Sequence, residues 1–426
     1  MHHIKDHPLR YRLANELHAR PFPSLEIPCT AAFLAVKRQY NAVARDRADD
    51  VNHLVDLLDR YGAPHPQPGA THYSGQIGRH FLKWEQHAEF VTYSVFTPGL
   101  SARPFDPAEF EIFPEDWLSN APGVCVTSAL IRVESRPDHE KLLHNLKEWF
   151  VPESLAVSRV LDDAAVVATD FRINAAGHIC ISAMVSPGTD KRRIGRIVQR
   201  LCEIETYKSM SMIGFARVGH LSDKMGRIEE RLNHMTAQIS KGDVPADSIL
   251  DELLQTSAEL ESLIAESSFR FGATGAYETI VNQRIDVMRE SRFEGRQTFA
   301  EFMMRRYDPA MRTVASTKLR LEALAERAMR AGELLRTKVD VSRSAQNQAL
   351  LESMDRRADL ALRLQKTVEG LSVVAISYYA VSLTSYLAYP LSVPLSMNKE
   401  ILTAIVTPPV VLAVWWMVSR IRARVR

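Results

Sequence analysis

Two long apolar runs near the C-terminal end constrain the fold of this chain more than any other feature. No charged residue occurs from Gly370 to Asn398, and none occurs from Ile401 to Ser419. Because a helix needs about 20 mostly apolar residues to cross a bilayer, the runs predict membrane spans near Leu371–Tyr389 and Ile401–Ser419. The alternative is a buried hairpin in a globular core, but the charged flanks of both runs favour a membrane.

Basic residues on either side of the spans predict their orientation. One group precedes the first span and the other follows the second: Arg356, Arg357, Arg363 and Lys366, then Arg420, Arg422, Arg424 and Arg426. Cationic flanks stay in the cytoplasm, so both termini are expected there, with a short external loop. Pro408-Pro409 predicts a kink in the second span. The first ten residues contain no apolar run, so we expect no signal peptide.

Composition excludes two classes of protein. The chain has 426 residues, 46% of them hydrophobic, and a formal net charge of +2 from 53 Lys and Arg against 51 Asp and Glu. The apolar content is too high for disorder, and the charge balance predicts no nucleic-acid partner. Four widely spaced cysteines, Cys29, Cys125, Cys180 and Cys202, are expected to be reduced, packed thiols.

The first 218 residues mix strand and helix patterns. Periodicity of 3.6 residues predicts helices at Asp50–Tyr61, His139–Phe150 and Thr189–Met210. Alternating apolar residues predict five strands: Cys29–Val36, Glu89–Phe96, Val124–Val133, Ala165–Ile173 and His178–Val185. We expect an antiparallel or mixed sheet with helices on one face.

After Gly219 the pattern is helical. Apolar residues step by four and three in a heptad seam: Leu221, Met225, Ile228, Leu232, Met235 and Ile239. A second apolar series predicts the returning arm of an antiparallel hairpin: Leu250, Leu253, Leu254, Leu260, Leu263 and Ile264. A third helix is predicted at about Tyr277–Tyr307. The segment from Ala310 to Tyr389 has no proline, which predicts one continuous helix of about 120 Å that enters the membrane.

These patterns together predict an α+β protein in four parts. Residues 1–218 form a cytoplasmic mixed α/β domain, and residues 219–309 form a helical hairpin with a third helix. Residues 310–370 form a long stalk helix, and residues 371–426 form a two-span membrane anchor with a basic tail. The hairpin and the stalk have the pattern of a coiled coil.

No common catalytic, phosphate-binding or metal-binding motif occurs in the sequence. Gly272-Ala-Thr-Gly275 resembles a phosphate loop only superficially, and a turn between helices is the favoured interpretation. His65, His72, His80 and His87 could ligate a metal with Glu85 and Glu89, but their spacing favours ordinary hydrogen-bonded histidines. We therefore expect that the protein is not an enzyme and that it binds no metal ion and no cofactor.

Two patterns carry candidate functional residues. Lys191-Arg192-Arg193 opens a helix where cations oppose the helix dipole, so these residues are candidate contacts for an anion. The alternative is simple solvent exposure, or pairing with carboxylates elsewhere in the fold such as Glu203.

The second pattern is a stripe of small or hydroxylated residues along the first span: Ser372, Ala375, Tyr379, Ser382, Tyr386 and Tyr389. Lipid does not favour such a face, so it should meet protein or water. It is either a close packing seam between helices or the lining of a wet pore, with one copy of the span from each subunit.

Several segments carry a resemblance to a known family: Leu9–Pro21 with His18-Ala-Arg-Pro21, Lys83–Phe90, Arg196–Tyr207, Arg270–Thr274, Gly295–Thr313 and Thr367–Tyr379. Together they resemble a bacterial family of unknown function whose members are described only as uncharacterised membrane-anchored proteins. The resemblance covers nearly the whole chain. It implies a bacterial inner-membrane protein and supplies no activity.

The layout of the chain is also similar to that of the CorA-type magnesium transporters. That family has Gly-Met-Asn directly after its first span, whereas here Met397-Asn398 follows Ser396 and comes eight residues after Tyr389. Two hypotheses follow. The protein is a homo-oligomeric ion transporter in the bacterial inner membrane, or a non-conducting membrane-tethered scaffold. Its expected partners are the lipid bilayer, further copies of itself and a cytosolic protein bound through the coiled-coil and α/β parts.

Overall fold

The computed structural model describes residues 4–16, 21–392 and 398–425. The chain divides into two compact units, Met1–Ala331 and Gly332–Arg426. The four-part division made from the sequence stays a prediction, and part of the His18-Ala-Arg-Pro21 motif lies outside the described residues, as does Met397.

The first unit is built on a nine-stranded sheet with the order β2-β3-β4-β1-β5-β8-β7-β6-β9. Its strands are β1 (Cys29–Lys37), β2 (His72–Ile77), β3 (His80–Gln86), β4 (Phe90–Pro98), β5 (Val124–Ser135), β6 (Ala156–Val160), β7 (Ala165–Ile173), β8 (Ile179–Val185) and β9 (Ser291–Arg292). The β5–β8 pair is parallel, and the other pairs are antiparallel. All five predicted strands are present, so the mixed α+β class is confirmed. Four strands, β2, β3, β6 and β9, were not predicted.

Helices cover both faces of this sheet, so the prediction of helices on one face is wrong. The central strand β1 is buried along its whole length, and successive side chains point to opposite faces. Phe33 belongs to a core on one face, and Leu34 belongs to a second core on the other face. The second core is closed by α2 (Arg47–Arg60), α3 (Glu115–Ser119) and α4 (His139–Trp149). A short helix, α1 (Arg10–Glu16), comes before the sheet.

The first core is closed by a hairpin of two long helices, α5 (Lys191–Lys241) and α6 (Ala246–Asp286). The six predicted seam residues on α5 are at most 6% exposed, which confirms the seam. On α6, however, Leu250 and Leu254 are exposed.

Other details of this region were predicted wrongly. The segments around Met210 and Leu221 form one helix, α5. Gly272–Gly275 lies inside α6 and forms no turn. Nor does a single helix cover Tyr277–Tyr307, because α6 ends at Asp286 and is followed by β9 and by α7 (Phe299–Arg306). A capping box of Thr298 and Glu301 begins α7.

The second unit contains the end of α8 (Asp308–Ser392) and α9 (Lys399–Val425). The predicted continuous helix is therefore confirmed over its full length. Helix α9 continues through Pro408 and Pro409, so the two prolines do not end it. Both helices are long and apolar enough to cross a membrane, and only 6% of the most apolar window of each is buried in the chain. That exposure argues against the alternative of a buried hairpin in a globular core.

Candidate functional site

A cavity of about 250 Å³ lies in the first unit, on the sheet face that also carries the first core. Strands β3 and β4 form its floor, helix α5 forms its roof, and one side chain reaches it from α6. Its lining is half polar and half aromatic, which sets it apart from the apolar core beside it. The polar lining is Lys83, Glu85, Thr92, Ser94, Gln199, Glu203, Thr206 and Arg284, and the ring lining is Phe22, Phe33, His87, Phe90, Phe96 and Tyr207.

Two cations and two carboxylates on the cavity wall are paired with one another. The Lys83 ammonium group lies 3.2 Å from a Glu85 oxygen and donates to Gln199 Oε1 at 2.7 Å. The Gln199 amide donates to one Glu203 oxygen at 2.8 Å, and Arg284 donates to the other. Because Lys83 is only 6% exposed, its charge depends on these partners for compensation.

A second charged network lies beside the cavity. The Glu89 side chain is 1% exposed, and it accepts hydrogen bonds from Arg270 and, at 2.7 Å, from the Tyr277 hydroxyl. The Lys37 ammonium group is 3.9 Å away. Burial and the bond to Glu89 raise the pKa of the Tyr277 phenol, and burial and the Arg270 charge lower the pKa of Lys37. The network ties the sheet to α6.

The single cysteine in the cavity wall is not activated as a nucleophile. Burial raises the pKa of the Cys202 thiol well above its ordinary value, so the thiol stays protonated at neutral pH. The cavity therefore offers charge pairing, hydrogen bonding and aromatic contact. Of the four cysteines, which are all free, Cys125 is exposed, so the prediction of four packed thiols is wrong for this one.

The predicted anion contacts have partners within the fold. The backbone N–H groups of Arg192 and Arg193 donate to the Asp190 carboxylate, which caps α5. Lys191 pairs with Glu26, and Arg193 lies 3.5 Å from Asp162. These pairs are what the alternative of internal pairing expects, and an anion contact at this helix start stays a prediction.

The four histidines weighed as metal ligands have different neighbours. His65 Nε2 is 2.6 Å from Asp59, His80 Nδ1 is 2.6 Å from Thr97 Oγ1, and the His87 ring stacks on Phe90. His72 begins the edge strand β2. Within the described ranges, no group of three or more His, Cys, Asp or Glu side chains could hold a metal ion.

The stripe on the first span lies on an uncovered part of α8. Ser372, Ala375, Tyr379, Tyr386 and Tyr389 are exposed, and Ser382 is half-buried. A groove between α8 and α9 in the second unit includes Ser372 from the stripe, and its other lining residues lie outside the stripe, among them Val373, Ile376, Val418 and Ile421. Most of the stripe therefore faces away from the second span.

Sequence reasoning did not predict the cavity or the Glu89 network. One signal was available, because three segments that carry the family resemblance supply most of these side chains. Lys83–Phe90 provides Lys83, Glu85, His87 and Glu89, Arg196–Tyr207 provides the lining from α5, and Arg270–Thr274 provides Arg270. Segments far apart in sequence converge on one place, which marks it as the candidate site of the first unit.

Fold and site define the class: a mixed α+β protein with a polar cavity between its sheet and a long helical hairpin, and with two helices of membrane-spanning length near its C-terminal end. The chain belongs to the family described as protein of unknown function DUF3422, which it matches over residues 5–425. The expected membership of a family of unknown function is thus confirmed over nearly the whole chain. No curated protein matches the chain.

Proposed function

We propose that this protein is a homo-oligomer anchored in the bacterial inner membrane by α8 and α9, with both termini in the cytoplasm. Its first spans together line a path for small ions, in the manner of the CorA-type transporters. The observation that carries the proposal is the stripe of small and hydroxylated residues in an uncharged span, most of which faces away from α9.

The part of α8 before the membrane supports self-association. From Val341 to Val368 every residue is exposed in the single chain. Large apolar side chains are among them, including Leu350, Met354 and Leu364 at 60%, 59% and 67% exposure. A soluble helix normally buries one apolar face against a neighbour, so this face needs a partner, and a second copy of the same helix supplies one.

The heptad register of this segment points to a bundle of several copies. Met354, Ala361, Val368 and Ala375 are at position a of this register. From 350 to 371 the a, d, e and g positions are apolar or small, with Arg357 and Gln365 as the exceptions. The charged residues other than Arg357 fall at b, c and f: Glu352, Asp355, Arg356, Asp359, Arg363, Lys366 and Glu369. A wide apolar face with charges on the opposite side suits helices that each contact two neighbours.

The same register continues into the first span. Ala375, Ser382 and Tyr389 occupy position a, and Ser372, Tyr379 and Tyr386 occupy position e. If the helices supercoil to the left, as a heptad pattern demands, the apolar face and the stripe point toward one common axis. Val373 and Ile376, at positions f and b, line the groove with Val418 of α9, which supports an outer position for α9. Leu364, Val368 and Ser372, at positions d, a and e, line the same groove at the other end of the contact.

The test is cysteine accessibility combined with ion flux. Tyr379→Cys lies on the stripe, and Leu383→Cys is the matched control, because the two native side chains are 67% and 62% exposed in the single chain but only the first is on the stripe. Both are made with Cys125→Ser, which removes the exposed native thiol. In liposomes, a small charged thiol reagent should modify position 379 and reduce the flux of Mg²⁺, K⁺ or Cl⁻, and it should leave position 383 unmodified.

A non-conducting tether is the second candidate. The stripe carries no residue that is charged at neutral pH, which favours the tether, since charged or carbonyl groups usually mark ion paths. In that case the stripe is a dry packing seam. Purified oligomers that conduct none of these ions and do not react at position 379 would leave the tether as the function.

A further inference from the structure

We propose that the cavity between β3, β4 and α5 binds a neutral α-amino acid, whose carboxylate contacts Lys83 and Ser94 and whose ammonium group contacts Glu85 and Thr92. This inference concerns the first unit and does not depend on ion conduction or on the membrane anchor.

Two hydroxyl groups on the cavity floor are available to bond an occupant. The Thr92 and Ser94 side chains are 5% and 8% exposed, and both line the cavity. Within the part of the chain that the structure describes, neither hydroxyl makes a hydrogen bond. Neither oxygen is among the fully buried polar atoms that lack a partner, so both hydroxyls open into the cavity and are available to hydrogen-bond a polar occupant.

Strand register groups the polar floor into two pairs. Ser94 lies directly opposite Lys83, and Thr92 lies directly opposite Glu85. The Lys83 ammonium group has three N–H donors and uses two of them on Glu85 and Gln199. The pair of Lys83 and Ser94 therefore offers hydrogen-bond donors to a carboxylate. The pair of Glu85 and Thr92 offers acceptors to an ammonium group.

The spacing of the two pairs matches the headgroup of an α-amino acid. Residues two apart on one strand face are separated by roughly 6.7 Å along the strand. A carboxylate and an ammonium group on one carbon, with one hydrogen bond at each end, bridge such a gap.

Charge balance excludes a charged ligand. The cavity wall carries Lys83 and Arg284 against Glu85 and Glu203, and these are already paired with each other. A ligand with a net charge would leave one buried charge without compensation, whereas a zwitterion adds one charge of each sign.

The size and the lining of the cavity determine which amino-acid side chain fits as part of the ligand. The volume of about 250 Å³ is slightly below the range usual for drug-sized ligands. Phe33 lies opposite Ser94 on the neighbouring strand, and Phe96 is the next residue of β4 on the same face. These two rings form an aromatic wall beside Ser94, at the end of the cavity that binds the ligand carboxylate. A small apolar side chain on the same ligand carbon can pack against this wall.

The experiment is binding of neutral L-amino acids, beginning with L-leucine, to the full-length protein in detergent. Isothermal titration and the Tm should both report binding. Two analogues each lack one charge: 4-methylpentanoate has no ammonium group, and 3-methylbutylamine has no carboxylate. Each should bind at least about tenfold more weakly than L-leucine, because each loses a charge-assisted hydrogen bond.

Substitutions in the cavity floor test whether the amino acid binds there. Thr92→Val keeps the shape of the side chain and removes the hydroxyl, and Ser94→Ala does the same at the other pair, so each should weaken binding about tenfold. Thr256→Val is the matched control, because Thr256 is 0% exposed and its hydroxyl also lacks a partner among the described residues, but it lies in α6 outside the cavity lining. This variant should bind L-leucine like the unaltered protein.

Three results would overturn the proposal. The first is that no neutral L-amino acid binds or raises the Tm, which would leave the cavity to water. The second is that both analogues bind as tightly as the amino acid. The third is that Thr256→Val weakens binding as much as Thr92→Val does.

Discussion

The α5–α6 hairpin and the segment 341–371 of α8 carry the same kind of heptad pattern but differ in what covers it. The six seam residues of α5 are at most 6% exposed, whereas Leu350, Met354, Leu364 and Val368 of α8 are between 54% and 67% exposed. In the hairpin, the returning helix and the first turns of α8 supply the cover, as the buried Leu253, Leu260 and Leu321 show. The comparison teaches that a heptad pattern predicts a helical partner without saying whether that partner is in the same chain.

The largest expected effect concerns the covered seam. Leu232→Asp places a carboxylate at a position that is 0% exposed, so the free energy of unfolding should fall by about 3 kcal/mol or more. Leu254→Asp on α6 is the control, since Leu254 is 60% exposed, and its effect should stay within about 0.5 kcal/mol. Urea unfolding followed by circular dichroism measures both. Equal effects of the two substitutions would contradict the seam.

A charge on the exposed apolar face of α8, in the segment 341–371, should affect self-association and not the stability of the single chain. Leu364→Asp changes a residue that is 67% exposed, so it should leave the unfolding of the single chain unchanged and reduce self-association. Leu362→Asp is matched to it, because Leu362 is 56% exposed but lies at position b, and oligomers should persist. Light scattering of the detergent-solubilised protein gives the masses. Oligomers that persist unchanged in the Leu364→Asp variant would show that this face of α8 is not the contact between copies of the chain.

The smallest effect concerns one glycine from each region. A Cβ added at Gly214 would overlap the Thr274 side chain of α6, whereas a Cβ at Gly370 would meet nothing within 4 Å. Gly214→Ala should therefore force the hairpin helices apart at a cost of about 1–3 kcal/mol. Gly370→Ala should stabilise α8 by up to about 1 kcal/mol. A fall of Tm in the second variant would show that the segment around Gly370 is covered in the purified protein.

Long, strongly periodic elements could be predicted from the sequence, but their divisions could not. Helix α8 and five strands follow from proline spacing and apolar alternation. The change of pattern at Gly219 predicted a division of the chain, yet a glycine costs only about 1 kcal/mol in a helix, and buried residues on both sides keep α5 continuous. The same reason explains why Gly272 and Gly275 form no turn.

The burial of the charged face of β3 could not be predicted from the sequence. Leu82 and Trp84 alternate with Lys83 and Glu85, a short pattern that is typical of a half-buried strand with its charged residues in solvent, whereas Lys83 is only 6% exposed. No local rule indicates that such charges are buried, because Gln199, which accepts a hydrogen bond from Lys83, comes from another element. The stripe on the first span was visible because a polar residue in an apolar run stands out without tertiary information.

Strand β9 has a consequence for the order of events during biosynthesis. Its two residues, Ser291 and Arg292, pair with Arg159 and Ser158 of β6 and close one edge of the sheet. Both helices of the hairpin lie between these strands in the sequence, so β6 leaves the ribosome well before its neighbour is made. Until the hairpin has folded back, the nascent chain presents an open edge, to which a strand of another chain can pair. Completion of the sheet is thus timed by the folding of α5 and α6.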